Sequence, residues 1–278
     1  MMKNSKFRRI LLLLACAVLL ASLSVGATLA YLTSTDEVEN TFTVGDVQIK
    51  LDEAKVNTET GKAPDPKDRT PDGNKQVRMV PGRLIDKDPT VTVLKDSENC
   101  YVRVKVIVDV SGCTTVDWDA QIPDDENGGE GQPPKTNLYK LADIFDEKYI
   151  RYKKAEDVEK LGFNETNWTV VGEPGINPTE KTVTYILTYK NDDGKSIVAK
   201  ATIDTELKPV FTHVYVPTNL DKDDLNKLAG MKIKVVAEAI QAEGFENATA
   251  AWNAFAEQKK IEEELQNPGN QEGSENQN

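Results

Sequence analysis

The chain has 278 residues, 46 acidic against 34 basic side chains and a formal net charge of −12, with 38% of its residues hydrophobic. That length holds one large domain or two small ones, with a sizeable core in either case. The acidity argues against nucleic acid as a partner, because phosphate binding draws on clustered Lys and Arg; it suits a soluble exported surface or the attraction of cations.

Residues 1–30 read as a signal peptide. Lys3, Lys6, Arg8 and Arg9 precede an apolar run from Ile10 to Ala30 that closes on the small-residue pattern Thr28-Leu29-Ala30. Cleavage between Ala30 and Tyr31 is therefore expected, with signal peptidase as a partner and the protein secreted. Two other readings of the same residues are an uncleaved anchor, since about 20 apolar residues span a bilayer, and a lipoprotein box at Leu13-Leu14-Ala15-Cys16. On the cleavage reading, only the uncleaved precursor touches the membrane.

After cleavage Tyr31, Leu32, Thr33, Ser34 and Thr35 form a free end with good strand propensity. Residues 31–41 are thus a candidate donor strand for an open sheet edge of a second copy, with a frayed terminus as the alternative. Phe42 and Val44 share one parity and Val47, Ile49 and Leu51 the other, so a bulge at Gly45 is needed for all five to face a core. Glu53 to Lys75, rich in Pro, Gly, Lys and Asp, reads as a long exposed loop. Strands resume at Thr90 to Leu94 and at Tyr101 to Val110, where Val102, Val104, Val106, Val108 and Val110 line one face and Arg103, Lys105 and Asp109 the other. That second strand, about 30 Å long at the usual rise, separates Cys100 from Cys113, so both are expected as unbridged thiols.

A second insertion, Pro123 to Thr136, precedes a short helix expected over Leu138 to Ile150. Thr182 to Lys190 and Ser196 to Ile203 flank Asn191-Asp192-Asp193-Gly194, a hairpin signal. Pro209 to Val216 and Met231 to Ile240 are further strands. Between them Thr218 or Asp221 can cap a helix that ends at Gly230. Ala248, Ala251, Trp252 and Phe255 recur at helical spacing, and from Gln266 to Asn278 the tail is polar and read as disordered. Many short strands, few helices and no regular alternation predict a mainly β fold: one antiparallel sandwich over 31–265, with peripheral helices and two loop insertions.

Chemistry is sparse in this pattern. The single histidine, His213, lies in a predicted strand beside Phe211 and Tyr215, and a zinc-protease helix needs two histidines four residues apart. No nucleophile elbow or Gly-rich phosphate loop is present. The acidic runs Asp124 to Glu130 and Asp221, Asp223, Asp224 lack the spacing of a calcium loop. No catalytic, cofactor-binding or metal-binding residue is assigned, and the chain is not expected to be an enzyme.

The junction Thr28 to Thr33, followed by Asn40-Thr41-Phe42-Thr43-Val44-Gly45-Asp46-Val47, resembles the start of the TasA and camelysin family of secreted Gram-positive proteins. Val80-Pro81-Gly82, Asn99 to Val106 and Ile233 to Trp252 are similar to later blocks of that family, so the resemblance runs from Ala27 to Phe255. It implies a jelly-roll β-sandwich, exported through a dedicated signal peptidase, that polymerises with itself by donor-strand exchange as a fibre subunit of a biofilm matrix. Some relatives are catalogued as metalloproteases, a label that the missing zinc motif speaks against here. A monomeric surface adhesin is the third class compatible with the composition.

Overall fold

The computed structural model describes residues 33–37, 39–41, 47–121, 136–153 and 159–266, with side chains described within 47–121, 136–153 and 159–262. In chain order the elements are β1 (Thr33–Glu37), β2 (Glu39–Thr41), β3 (Ile49–Ala54), β4 (Arg69–Thr70), β5 (Leu84–Asp86), β6 (Thr90–Val93) and β7 (Cys100–Asp109). Then come α1 (Asn137–Tyr149), β8 (Ile150–Lys153), β9 (Glu159–Leu161), β10 (Trp168–Val170), β11 (Gly175–Asn177), β12 (Thr182–Tyr189), β13 (Ile197–Val198) and β14 (Thr205–Glu206). The chain continues with β15 (His213–Tyr215), α2 (Lys222–Leu228), β16 (Lys232–Gln241) and α3 (Ala248–Gln266).

β7 is the axis of the fold. Its alternating β-branched residues present Val102, Val104, Val106 and Val108, all fully buried, to one side of the sheet. β16 pairs along the whole of one edge of β7, and β12 along most of the other. The central sheet therefore runs β10, β12, β7, β16, β1, β2, with antiparallel pairing throughout.

Across the valine face lies a layer of mixed composition. β3 and β6 bring Ile49, Leu51, Val91 and Val93, and β3 lies against β16 and β1. Toward β12 and β11 the cover is α1 instead, which buries Leu138, Leu141, Ala142 and Phe145, with Tyr185 Oη donating to the Ala142 carbonyl at 2.6 Å. Ile150 from β8 and Phe211 complete that half of the core. The molecule is thus mainly β and antiparallel, with part of its second layer supplied by a helix.

The strands at 101–110 and 231–240 and the helices after 137, 221 and 247 form close to where periodicity places them. Asp221 caps α2 through a reciprocal capping box with Asp224. Gly230, at φ +95°, follows it against the backbone of Gly112, where a Cβ would collide. Val47, Ile49 and Leu51 share a buried face as expected; Phe42, Val44 and the bulge at Gly45 lie outside the described residues.

Three expectations are corrected. Asn191 to Gly194 does form a tight turn, with the Gly194 N–H donating to the Asn191 carbonyl at 2.8 Å, yet it does not reverse the chain into a hairpin. β13 rejoins the edge of β7 in line with β12, so the turn is an excursion from one strand line. The Asn191 side chain accepts from the N–H groups of Asp193 and Lys195, which closes this loop locally without a partner strand. The predicted strand over Pro209 to Val216 shrinks to His213–Tyr215, because Val210 and Phe211 are both fully buried and break the alternation. The loop expected from Glu53 begins inside β3, with Asp52 and Glu53 buried, and is pinned by β4.

Candidate functional site

The two sides of the central sheet end differently. On the β12 side, β10 and β11 lie on the same line but are separated by Val171 to Pro174, four residues facing only Tyr185 and Ile186 of β12. The Val171 N–H still bonds the Ile186 carbonyl at 2.8 Å, Gly172 adopts φ +67°, and Pro174 has no N–H to offer. This edge is interrupted and its two strands are only three residues each, a form in which natural sheets resist strand addition.

On the other side β16 is unbroken and ten residues long. β1 lies along it in antiparallel register from Thr33 opposite Ile240 to Glu37 opposite Val236. β1 also lies against β3, so it closes the gap between the two layers at this margin, and β2 folds back on it from Thr35 opposite Thr41. Thr33, Ser34 and Thr35 of the candidate donor segment are therefore paired with their own chain. Tyr31 and Leu32, like Ala30 and the whole signal segment, lie outside the described residues.

Behind the β1 position, on the sheet face away from the valine core, sits the most buried carboxylate of the described residues. Glu238, 1% exposed, is held by Arg103 Nε at 2.5 Å, Lys105 Nζ at 2.9 Å and Lys259 Nζ at 3.2 Å. Burial pushes its carboxyl up, but the charges of Arg103, Lys105 and Lys259 and the Lys105 hydrogen bond outweigh this and hold it below the ordinary value. Arg103 also stacks on Trp252 and Phe255 of α3, its guanidinium 4.2 and 5.0 Å from the ring centres. Those rings and Ala251 pack on Tyr101, Ile240 and Ala242. α3 is thus docked by an apolar patch and one ionic knot, both on β7 and β16. Periodicity points to the helix face and not to Glu238. The available signal is a single acid between Ala237 and Ala239 within the otherwise apolar run from Val235 to Ile240.

His213 sits in β15, half-buried, with Nδ1 2.8 Å from Thr212 Oγ1 and Nε2 3.4 Å from Asp86 Oδ1. Burial lowers its pKa, and Asp86 opposes that only in part. Among the described residues no group of three or more His, Cys, Asp or Glu is arranged to hold a metal ion. Cys100 and Cys113 are free and buried, their thiols pushed up to about 12 and about 11 by burial, Asp109 adding to the effect on Cys113. Among the same residues no helix is long and apolar enough to cross a membrane. Comparison of the chain with protein-family models, with curated proteins and with solved structures found no match.

Proposed function

We propose that this chain is a secreted structural protein, a fibre-forming subunit of an extracellular matrix with a jelly-roll type of sandwich. In this reading signal peptidase releases it by cleavage after Ala30, and it polymerises with itself by exchanging its N-terminal strand. The observation that carries the proposal is the pairing of β1 on the edge of β16. An element bonded to the rest of the molecule at a sheet margin exchanges between identical copies at little net cost, because the same contacts form within one chain or between two. Each exchange leaves one strand and one edge to offer, so the contact is head-to-tail and extends as a filament when its rotation does not close. The broken β10 and β11 edge favours growth from the β16 side alone.

The reading assigns no catalytic residue to the chain. Its test is deletion of Tyr31 to Asn40, with the product examined by negative-stain microscopy. The truncated protein is expected to remain a folded monomer and to make no fibres, whereas the intact mature protein, starting at Tyr31 by N-terminal sequencing, assembles. Fibres from the truncated protein at the wild-type rate would defeat the mechanism.

A further inference from the structure

The insertion after β3 carries an arrangement that the assembly reading does not use. The Glu53 carboxylate, its side chain 6% exposed, binds two different partners on its two oxygens. Oε2 accepts from Lys87 Nζ at 2.5 Å. Oε1 accepts from the side-chain amide of Asn74, Nδ2, at 2.8 Å and from the Asn74 backbone N–H at 2.6 Å. The Asn74 amide is fixed on its remaining sides too: Nδ2 also donates to the Ala54 carbonyl at 2.7 Å, and Oδ1 accepts from the Val56 N–H at 2.8 Å. Lys87 is largely buried, with 15% of its side chain exposed.

We propose that this is an autocatalytic cross-linking site, in which Lys87 and Asn74 become joined by an intramolecular isopeptide bond with Glu53 as the proton carrier. The parts required for acyl transfer are all present. Lys87 Nζ is the nucleophile, Asn74 Cγ the electrophile, Glu53 the group that touches both, and the Val56 N–H a donor aimed at the oxygen on which charge develops.

The Lys87 ammonium gives one proton to the Glu53 carboxylate, and the freed amine attacks Cγ, forming the Cγ–Nζ bond. The tetrahedral intermediate carries its negative charge on Oδ1, against the Val56 N–H. Glu53 delivers its proton to Nδ2, accepts a second one from Nζ, and is restored as ammonia leaves with the broken Cγ–Nδ2 bond. The second proton leaves with that ammonia as ammonium. The net change is an ammonium and a primary amide converted to a secondary amide and ammonium, with no oxidant, reductant or cofactor.

The surroundings hold the geometry. Arg69 in β4 bonds Asp52, and reaches Asp88 Oδ2 at 2.9 Å, while Asp88 Oδ1 accepts from the Ala54 N–H at 2.7 Å. This clamps the residue next to Lys87 onto the strand that bears Glu53. Gly73, at φ +69°, brings the backbone of Asn74 in toward the carboxylate.

Intact-mass spectrometry of the purified protein tests the proposal, with its N-terminus fixed by sequencing. The expected mass is lower than that of the sequence by one ammonia, and digestion should yield a branched peptide joining the segments that contain Asn74 and Lys87. Lys87→Arg keeps a cation on Glu53 but cannot form the bond, so it should restore the full mass; Glu53→Gln should slow or abolish the loss. A wild-type protein of full mass overturns the proposal. So does an ammonia loss that persists in Lys87→Arg, because that is the mark of a backbone succinimide at Asn74-Lys75.

Discussion

Glu238 is a carboxylate whose removal leaves more charge behind than it takes away. Arg103, Lys105 and Lys259 all converge on it, so Glu238→Ala leaves three cations facing one another at the sheet surface. Breaking a buried ion pair from one side costs about 3–5 kcal/mol. That loss is expected in urea unfolding, with Glu238→Gln falling between the variant and the wild type. The pH dependence has a definite sign. Because the folded carboxyl titrates below its unfolded value of about 4.3, its contribution is complete above that pH and disappears as the pH falls through the folded pKa. Thermal melts from neutral to acid should therefore show a downward step below about pH 4.3 that Glu238→Ala lacks. A variant as stable as wild type at neutral pH would show that the three cations find other partners.

At the scale of elements, the sequence is most legible where a single period runs long enough to be counted. β7 alternates along most of its ten residues, β16 carries an apolar run from Val235 to Ala237 and from Ala239 to Ile240, and α1 and α3 repeat their apolar positions over several turns. Pairing is less legible, because turn chemistry specifies a local reversal and says nothing about which edge the chain meets next. Asn191-Asp192-Asp193-Gly194 closes its turn as expected, and the neighbour on the far side of it proved to be β7. The Glu53, Asn74 and Lys87 arrangement was illegible for another reason: three segments each contribute one ordinary polar residue. The interruption between β10 and β11 carries its own expectation. Deleting Gly172 and Glu173 together with Pro174→Thr would bring the two short strands into one continuous edge with its N–H groups complete, and light scattering should then show lateral association that the parent lacks. Unchanged scattering by a folded deletion variant would mean that the interruption does not guard this edge.

Taken whole, the molecule divides its core between two covers that meet the same valine face. Phe145 of α1 is fully buried at the end remote from β1. Phe145→Ala should cost about 3–5 kcal/mol in chemical unfolding while leaving the β16 edge, and the fibre assembly proposed for it, intact at low temperature. Loss of assembly by a variant that is still folded would mean that the two ends of the core are coupled. The placement of β1 also sets an order of events. Thr33 is among the first described residues to be synthesised, yet its partner Ile240 comes near the end of the described chain. Closing so long a loop is slow relative to local folding, so each new molecule passes through an interval in which its first strand has no home and its last sheet edge has no cover. In the proposed assembly, a strand from a neighbour that arrives within that interval competes with nothing but the molecule's own delay, and the choice between monomer and polymer becomes a race decided by local concentration.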